Sequence, residues 1–403
     1  MNDAPALAAV TARARAAGER AFGPGWRPDR RAIAPGRVEL IGNHIDYNGC
    51  PVLCAAIDRA LVVLAGPGDA GIRAAAADSP VEGIIAVDPA EARDWRGDGS
   101  RPVTASYLRG AVAGVLARPS LALREPVTLA IAGDVPLGFG LSSSAALCVG
   151  LALALAEPRL PDPELVLLAQ EAEHRAGAPC GTMDQSASVA GGVILYDGAT
   201  LGIEQLQPDL GGHVFAVIDS GVERSLALSS YPARVEESRR ALALANLTLG
   251  LSMNHLAELP AASLARLTEG PGALPSPLDA RARHVVAETA RVRLGVAALR
   301  AGDWPAFGRL MTESGRSSAS DYAISHPRVE EMVAEALAVD GVLGARMMGG
   351  GEGGAAIALL PADRVSALEH ALRRGYFARH GMAHREGLVQ PCSFAPGARI
   401  ERL

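Results

Sequence analysis

The chain has 403 residues, of which 49% are hydrophobic and 20% are charged. A chain of this length is more easily divided into two domains than packed around one core. The formal net charge of −6 argues against nucleic acid as the main partner, because phosphate backbones require a basic surface. No apolar run reaches membrane-spanning length and the N-terminal residues lack a signal-peptide pattern, so we expect a cytoplasmic protein without membrane contact.

The basic residues are unusual because the sequence contains no lysine, so all 38 of them are arginine. This excludes a Schiff-base lysine and a P-loop of the Gly-Lys-Ser type. The five cysteines are scattered and are not spaced as a zinc or redox pair. Any phosphate chemistry must therefore depend on arginine, metal ions and backbone N–H groups.

Apolar periodicity, glycine and proline predict a mixture of helices and strands along the whole chain. In the first half we predict a helix at 5–22, strands and turns over 31–63, a helix at 105–117, a strand at 126–132, and helices at 143–155 and 164–175. In the second half we predict strands at 193–196 and 213–219, mainly helices over 232–338, and a strand at 355–360. The mixture predicts an α+β protein, with one domain at 1–205 and a second at 206–403.

The strongest local signal is the loop at residues 136–146, Pro-Leu-Gly-Phe-Gly-Leu-Ser-Ser-Ser-Ala-Ala. A strand enters this loop, two glycines allow a tight turn, and a buried helix follows. The first turn of a helix offers free N–H groups and the positive end of the helix dipole, which together hold an anion. If Ser142 were only a helix cap, one serine would suffice, so three serines after Gly-x-Gly favour phosphate binding. The residues predicted to bind ATP here are Gly138, Gly140, Leu141, Ser142, Ser143 and Ser144.

A second polar loop carries Asn43, His44 and Asp46 between glycines. Short polar side chains in one tight loop can bracket the hydroxyl groups of a monosaccharide. An Asx turn would explain the same residues without a ligand. The phosphate loop elsewhere in the chain favours the sugar interpretation.

Several segments resemble motifs of one family, the galactokinases of the GHMP kinase superfamily. The phosphate loop is similar to the second motif of GHMP kinases. Residues 34–49 resemble the galactokinase signature, and residues 172–174 with 180–185 (Cys-Gly-Thr-Met-Asp-Gln) match the spacing and order of a further galactokinase motif. Residues 219–231, 320–325 and 391–397 extend the resemblance over nearly the whole chain.

The resemblance implies a two-lobed fold with the active site between an N-terminal and a C-terminal mixed α/β domain. It also implies transfer of phosphate from ATP, with Mg²⁺, to the C1 hydroxyl of galactose or a close relative. Asp184 would stand beside the attacking hydroxyl, with Arg37 next to it. The implied sugar-binding residues are Arg37, Asn43, His44, Asp46, Gly181, Asp184 and Tyr231, and the implied metal ligands are Ser144 and Glu173. Without the resemblance, Asp184 and Ser144 could be helix caps and Glu173 a solvated surface residue.

The chain departs from the family pattern at two motifs. Asn43 stands where galactokinases usually have glutamate, which is expected to accept a hydrogen bond from a sugar hydroxyl, and Glu39 stands where they usually have asparagine. A neutral residue at position 43 would tolerate a sugar carboxylate, so galacturonate, arabinose and N-acetylgalactosamine remain alternative substrates. In the glycine loop at 347–354, Met348 and Glu352 replace the usual threonine and phenylalanine. We predict that Glu352 faces solvent or an arginine, because it would repel phosphate.

A function of another class is also open. Some galactokinase-like proteins sense galactose and ATP without catalysis, and such relatives carry deletions in the serine-alanine loop. Here residues 142–146 are complete, and Arg37 and Asp184 are both present. An enzyme is therefore the favoured interpretation over a sensor.

Overall fold

The computed structural model describes residues 4–98, 100, 103–223, 230–270 and 272–403. Within the segment 219–231 that the sequence analysis singled out, residues 224–229 lie outside the described residues. Among the residues that are described, no helix combines the length and apolar character needed to cross a bilayer.

Helices and strands alternate along the chain in an order that builds two main sheets. The helices are α1 (Pro5–Phe22), α2 (Pro89–Ala92), α3 (Thr104–Leu116), α4 (Ser143–Leu155), α5 (Asp162–Arg175), α6 (Met183–Ala190), α7 (Tyr231–Leu249), α8 (Leu264–Thr268), α9 (Leu278–Ala301), α10 (Trp304–Ser320), α11 (Pro327–Leu337), α12 (Val365–Arg374) and α13 (Tyr376–Arg379). The strands are β1 (Arg30–Ile41), β2 (Pro51–Pro67), β3 (Ile72–Ala76), β4 (Ile84–Val87), β5 (Ala122–Leu123), β6 (Val127–Gly133), β7 (Ala156–Glu157), β8 (Val193–Asp197), β9 (Ile203–Leu206), β10 (His213–Val222), β11 (Gly344–Met347), β12 (Gly354–Pro361), β13 (Val389–Cys392) and β14 (Arg399–Arg402).

The first sheet has eight strands and is organised around the long strand β2. Its main path runs β14-β1-β2-β6-β3-β4, and the other end of β2 pairs with β8, which pairs with β9. Only the β3–β6 pair in this sheet is parallel among the described pairings. The pairing of β1 with β2 is interrupted by irregularities on either side of residues 37–39. Such bulges re-aim side chains and often stand next to active sites.

Helices cover both faces of the first sheet because successive strand residues point to opposite sides. On β2, Val62 and Leu64 pack against Val10 and Ala14 of α1. The intervening Val63 packs in a separate cluster formed with α3, α4 and α5. Helix α4 is apolar on all sides and almost wholly buried, as expected for a helix in the centre of a domain.

The second sheet has four antiparallel strands in the order β11-β12-β10-β13. Phe215 of β10 and Phe307 of α10 belong to a core cluster that also contains Val38 of β1 and Val52 of β2, so one core connects the two sheets. The last strand, β14, does not join this sheet but pairs with β1 in the first one. The end of the chain thus returns to the N-terminal half.

These observations confirm the predicted α+β class and its two-lobed arrangement. The predicted helices at 5–22, 105–117, 143–155 and 164–175 are present within a few residues of their expected bounds, as are the strands at 126–132, 193–196, 213–219 and 355–360. The short strands β3, β4, β5, β7, β9, β11, β13 and β14 were not predicted. The predicted domain boundary between residues 205 and 206 stays a prediction. Residues 399–402 lie in the predicted second domain but pair with β1 of the first sheet.

Candidate active site

A cleft of ≈ 190 Å³ lies where elements of the two sheets meet. It is lined by all six predicted ATP-binding residues, Gly138, Gly140, Leu141, Ser142, Ser143 and Ser144. It is also lined by six of the seven predicted sugar-binding residues, Arg37, His44, Asp46, Gly181, Asp184 and Tyr231. Residues as far apart in the sequence as Arg37 and Gly350 therefore share one small space.

The central contact of the cleft joins Arg37 of β1 to Asp184 in the first turn of α6. Nε of Arg37 donates to Oδ1 of Asp184 over 2.8 Å, and a second guanidinium nitrogen lies 2.7 Å from the same oxygen. The Arg37 side chain is 5% exposed and that of Asp184 is 27% exposed. Burial acts to lower the pKa of Arg37, but the charges of Asp184 and Glu39 outweigh it, so the pKa is raised. A permanent positive charge thus stands beside a partly accessible carboxylate.

The phosphate loop is hydrogen-bonded to this pair. The hydroxyl of Ser142 donates to Oδ2 of Asp184, and the guanidinium of Arg37 donates to the carbonyl of Gly140. The backbone N–H of Arg37 donates to the carbonyl of Leu141 over 3.1 Å. Loop, guanidinium and carboxylate therefore form a single hydrogen-bonded unit.

Neither Ser142 nor Asp184 acts as a helix cap in the structure. Ser142 precedes α4 with φ of 57°, and its side chain makes no capping hydrogen bond. Thr182 precedes α6, so Asp184 lies inside the helix rather than at its cap. The side chains of Ser142 and Asp184 bond to each other instead.

The start of α4 has the features of an anion site. Its first two residues, Ser143 and Ser144, line the cleft. Gly138 and Gly140 have φ of 82° and 69°, which glycine adopts at little steric cost, and no atom lies within 4 Å of a Cβ built on Gly138. The N-terminus of the 13-residue helix α4 thus lies beside open space. Its free N–H groups and the positive end of its dipole can hold a phosphate group there.

A second cavity of ≈ 630 Å³ adjoins the phosphate loop on its other side. The two cavities share Pro136, Gly138, Ser143 and Ser144. The second one extends to Glu82, Thr104 and Tyr107, residues that the sequence analysis did not single out. A ligand whose phosphates lie at the loop can extend its remaining part into this cavity.

Aromatic rings form one wall of the central cleft. The ring of His44 lies 5.2 Å from that of Tyr231, and its Nδ1 is 3.0 Å from the hydroxyl of Tyr47. That hydroxyl is 3.0 Å from the hydroxyl of Tyr322. Burial raises the pKa of Tyr47 and Tyr231 well above the usual value, so both phenols stay protonated and can donate hydrogen bonds. Tyr47 and Tyr322 were not among the predicted site residues.

Asp46 stands on the same side of the cleft and depends on the absence of a side chain at Gly181. A Cβ on Gly181 would lie 2.3 Å from Oδ2 of Asp46. Burial raises the pKa of Asp46 to about 7, a backbone hydrogen bond from Tyr47 opposes the rise, and the charges of Asp184 and Glu39 add to it. Near neutral pH this carboxyl group can accept a hydrogen bond from a hydroxyl, or donate one to it.

The structure places Asn43 differently from the prediction. Asn43 is fully buried and is not among the described residues that line the cleft. Its Nδ2 donates to Oε2 of Glu39 and to the carbonyl of Gly349, both over 2.8 Å. Glu39 does line the cleft. The cleft therefore retains a carboxylate despite the asparagine at position 43, because Glu39 supplies it.

The predicted metal ligands fit a magnesium ion in their chemistry. Glu173 is 3% exposed, burial raises its pKa to about 7, and a hydrogen bond from the hydroxyl of Ser144 opposes that rise. Its carboxylate also accepts from Nε2 of Gln185. The described part of the chain contains no group of three His, Cys, Asp or Glu side chains suited to a metal. Mg²⁺ does not require one, because it is commonly bound by one or two carboxylates together with substrate phosphates.

Glu352 of the glycine loop at 347–354 is hydrogen-bonded to the backbone that precedes α7. Its carboxylate accepts a hydrogen bond of 3.0 Å from the backbone N–H of Ser230, and it is not among the described cleft-lining residues. We predicted that Glu352 faces solvent or an arginine; the residue is half-buried, and its hydrogen-bond partner among the described residues is the N-terminal end of α7. A carboxylate is favourable at that end of a helix, which explains why it is tolerated in a glycine loop.

Comparison with known families identifies these features. The family model "Galactokinase galactose-binding signature" matches residues 19–67, the model of the GHMP kinases N terminal domain matches 106–192, and that of the GHMP kinases C terminal domain matches 296–378. A galactokinase from Roseiflexus sp. is 37% identical over 386 residues, which is 93% of each chain. The human galactokinase is 38% identical over 387 residues, which is 92% of each chain.

The chain belongs to the galactokinase family.

Solved structures agree with this assignment. The galactokinase of Lactococcus lactis, solved in complex with galactose, superimposes with a TM-score of 0.84 and 28% identity, and the match covers 98% of this chain and 99% of that one. A mevalonate kinase of Methanococcus jannaschii superimposes with a TM-score of 0.61 at 16% identity. The second match shows the shared fold alone. As a member of the galactokinase family, the chain is a sugar kinase that uses ATP.

Proposed function

We propose that this galactokinase family member transfers the terminal phosphoryl group of ATP to the C1 hydroxyl of galactose, giving galactose 1-phosphate and ADP. The observation that carries the proposal is the hydrogen-bonded unit of Arg37, Asp184 and Ser142. It fixes a carboxylate and a guanidinium at the edge of the phosphate loop. Phosphoryl transfer depends mainly on positioning and charge stabilisation, and this unit supplies both.

In this proposal, Asp184 accepts the proton of the attacking hydroxyl. The carboxylate is partly accessible from the cleft, whereas Arg37 beneath it is almost wholly buried. The neighbouring guanidinium favours the ionised form of the carboxylate. It also stabilises negative charge on the attacking oxygen and on the transferred phosphoryl group.

The loop at 138–144 would hold the phosphates of ATP through the N–H groups and dipole at the start of α4. Ser144 and Glu173 would bind Mg²⁺, which when present neutralises phosphate charge. The adjoining cavity with Tyr107 would receive the nucleoside.

Galactose is preferred over the alternative substrates in this proposal. Galacturonate was considered because Asn43 would leave a neutral surface next to the sugar. Glu39 lines the cleft instead, and its carboxylate would repel a second one. The galactokinase relatives, at 37% and 38% identity, support the same sugar.

We place the protein in the cytoplasm, where ATP is available. All five cysteines are free thiols in the structure. This agrees with a reducing compartment, where disulfides are rare.

The proposal is tested first by ATP consumption with galactose, galacturonate, arabinose and N-acetylgalactosamine. We expect kcat/KM to be highest for galactose, and phosphorus NMR to place the new phosphate on C1. A protein that binds galactose and ATP without turnover would be a sensor, and a higher kcat/KM for another sugar would replace galactose as the substrate.

The role of Asp184 is tested by Asp184→Ala. We expect kcat to fall by at least about a thousandfold, as removal of a positioned proton acceptor removes a large part of the barrier reduction, while nucleotide binding persists. Asp279 is a matched control because it also lies in the first turn of a helix and pairs with an arginine, Arg283. Asp279→Ala should retain full kcat, and near-normal turnover in Asp184→Ala would refute the assignment.

A further inference from the structure

Glu39 and Arg37 are placed on the same face of β1 with the cleft in front of them. Residues 37–39 pair regularly with residues 54–56 of β2, between two irregularities. Side chains two positions apart on a strand point to the same side, about 7 Å apart along the strand at roughly 3.3 Å per residue. Both side chains line the cleft. The distance is comparable with the width of a sugar ring.

The carboxylate of Glu39 is held rigidly. Oε1 accepts from a terminal guanidinium nitrogen of Arg346 over 2.9 Å, and Oε2 accepts from Nδ2 of Asn43 over 2.8 Å. Glu39 is 2% exposed and the Arg346 side chain is fully buried. Arg346 is itself fixed by the carbonyl of Leu40. A carboxylate offers about four lone-pair positions, so each oxygen can accept one further hydrogen bond.

Asn43, in contrast, offers no hydrogen-bonding group to the cleft. Both hydrogens of its Nδ2 are used, by Glu39 and by the carbonyl of Gly349. Its Oδ1 is buried and has no hydrogen-bond partner among the described residues. Asn43 therefore orients the carboxylate of Glu39 without lining the cleft itself. The hydrogen-bond acceptor that this part of the cleft offers to a sugar is the Glu39 carboxylate.

We propose that Glu39, held by Arg346 and Asn43, accepts a hydrogen bond from a galactose hydroxyl on the opposite side of the ring from C1 and so determines sugar specificity. This inference rests on the proposed function, since the C1 hydroxyl is taken to lie at Asp184. Arg37 and Glu39 then contact the two ends of one ring. Asn43 is a positioning residue that acts through Glu39.

The test combines a change in the enzyme with a change in the sugar. The kcat/KM is measured for the wild type and Glu39→Gln on galactose and on its 2-, 3-, 4- and 6-deoxy analogues. If Glu39 binds one hydroxyl, the wild type discriminates against the sugar that lacks it, and Glu39→Gln loses roughly tenfold of that discrimination. The ratios at the other positions should be unchanged. An equal loss on all five sugars would overturn the proposal.

Glu39→Gln also removes the negative charge opposite the buried guanidinium of Arg346, and an uncompensated buried charge is strongly destabilising. The double variant Glu39→Gln/Asn43→Asp is therefore measured beside it, because it returns a negative charge to the same network but one residue layer behind the cleft. We expect it to recover thermal stability without recovering discrimination. Recovery of both would show that only the charge of the network matters, and would contradict a direct contact of Glu39 with the sugar.

The outcomes separate this inference from the proposed function. A wild type without activity on galactose removes both. A wild type that phosphorylates galactose, with deoxy-sugar ratios unaffected by Glu39→Gln, leaves the function standing and removes the inference.

Discussion

Two glycine-rich loops border the cleft, and their glycines are needed for opposite reasons. In the loop before α4, Gly138 has φ of 82° and open space where a Cβ would stand. In the loop before β12, Gly351 also has φ of 82°, but a Cβ would lie 2.1 Å from the carbonyl oxygen of Ile324. The first loop leaves room for a ligand, whereas the second is packed against protein.

The difference follows from what each loop leads into. The first leads into a buried helix whose free N–H groups are directed at its N-terminal end. The second leads into β12, in the centre of the second sheet, and its Gly349 carbonyl accepts a hydrogen bond from Asn43. A glycine run is therefore no sign of phosphate binding by itself; the element that follows it decides.

The comparison is tested most strongly by Gly351→Ala. Positive φ and the contact with the Ile324 carbonyl both oppose a side chain, so we expect unfolding free energy to fall by about 3 kcal/mol. Urea denaturation measures the change. A loss below that of Gly138→Ala would contradict the description of the second loop as packed.

The hydroxyl of Ser142 links the first loop to Asp184. Ser142→Gly removes that hydrogen bond, and we expect kcat/KM to fall roughly tenfold, as is typical for hydrogen bonds to charged groups. Glycine suits the φ of 57° at this position, so thermal stability should not fall. Ser142→Ala, which keeps the backbone strain, should lose both activity and stability; equal thermal stability of the two variants would count against the strain.

Gly138→Ala places a side chain in open space at the same φ as Gly351. We expect only the conformational cost, about 1 kcal/mol of unfolding free energy. Because the loop is predicted to bind ATP, KM for ATP should rise while KM for galactose stays constant. A rise in both Michaelis constants would show that the loop does not act on the nucleotide alone.

The smallest effect is expected at Glu352 in the second loop. Its carboxylate accepts from the N–H of Ser230, directly before Tyr231 at the start of α7. Glu352→Gly removes the acceptor and places glycine at a φ of 59°, which glycine adopts without strain. We expect KM for galactose to rise about threefold with little change in kcat, because the contact at the helix terminus is weak. Glu352→Gln keeps an acceptor and should remain close to the wild type. Equal KM values for the two variants would remove this link between the second loop and Tyr231.

The elements that sequence reasoning predicted well are those with strong local signals. Helix α4 follows a Gly-x-Gly turn and is apolar on every side, and α1 begins at a proline after which apolar positions recur on one face. The same reasoning missed β14, because four residues acquire strand structure only by pairing with β1. It also missed Tyr322, which reaches the site through the hydroxyl of Tyr47.

For the candidate site, the sequence by itself determined which residue types are available and which loop suits an anion. Motif order, supported by family resemblance, already grouped Arg37, Asp184 and Ser142. Only the tertiary structure decided that Ser142 bonds to Asp184 instead of capping α4, and that Glu39 rather than Asn43 borders the cleft. The reason is physical: Arg346, fully buried in β11 and 307 residues along the chain from Glu39, requires a carboxylate partner, and no local pattern around residue 39 contains that requirement.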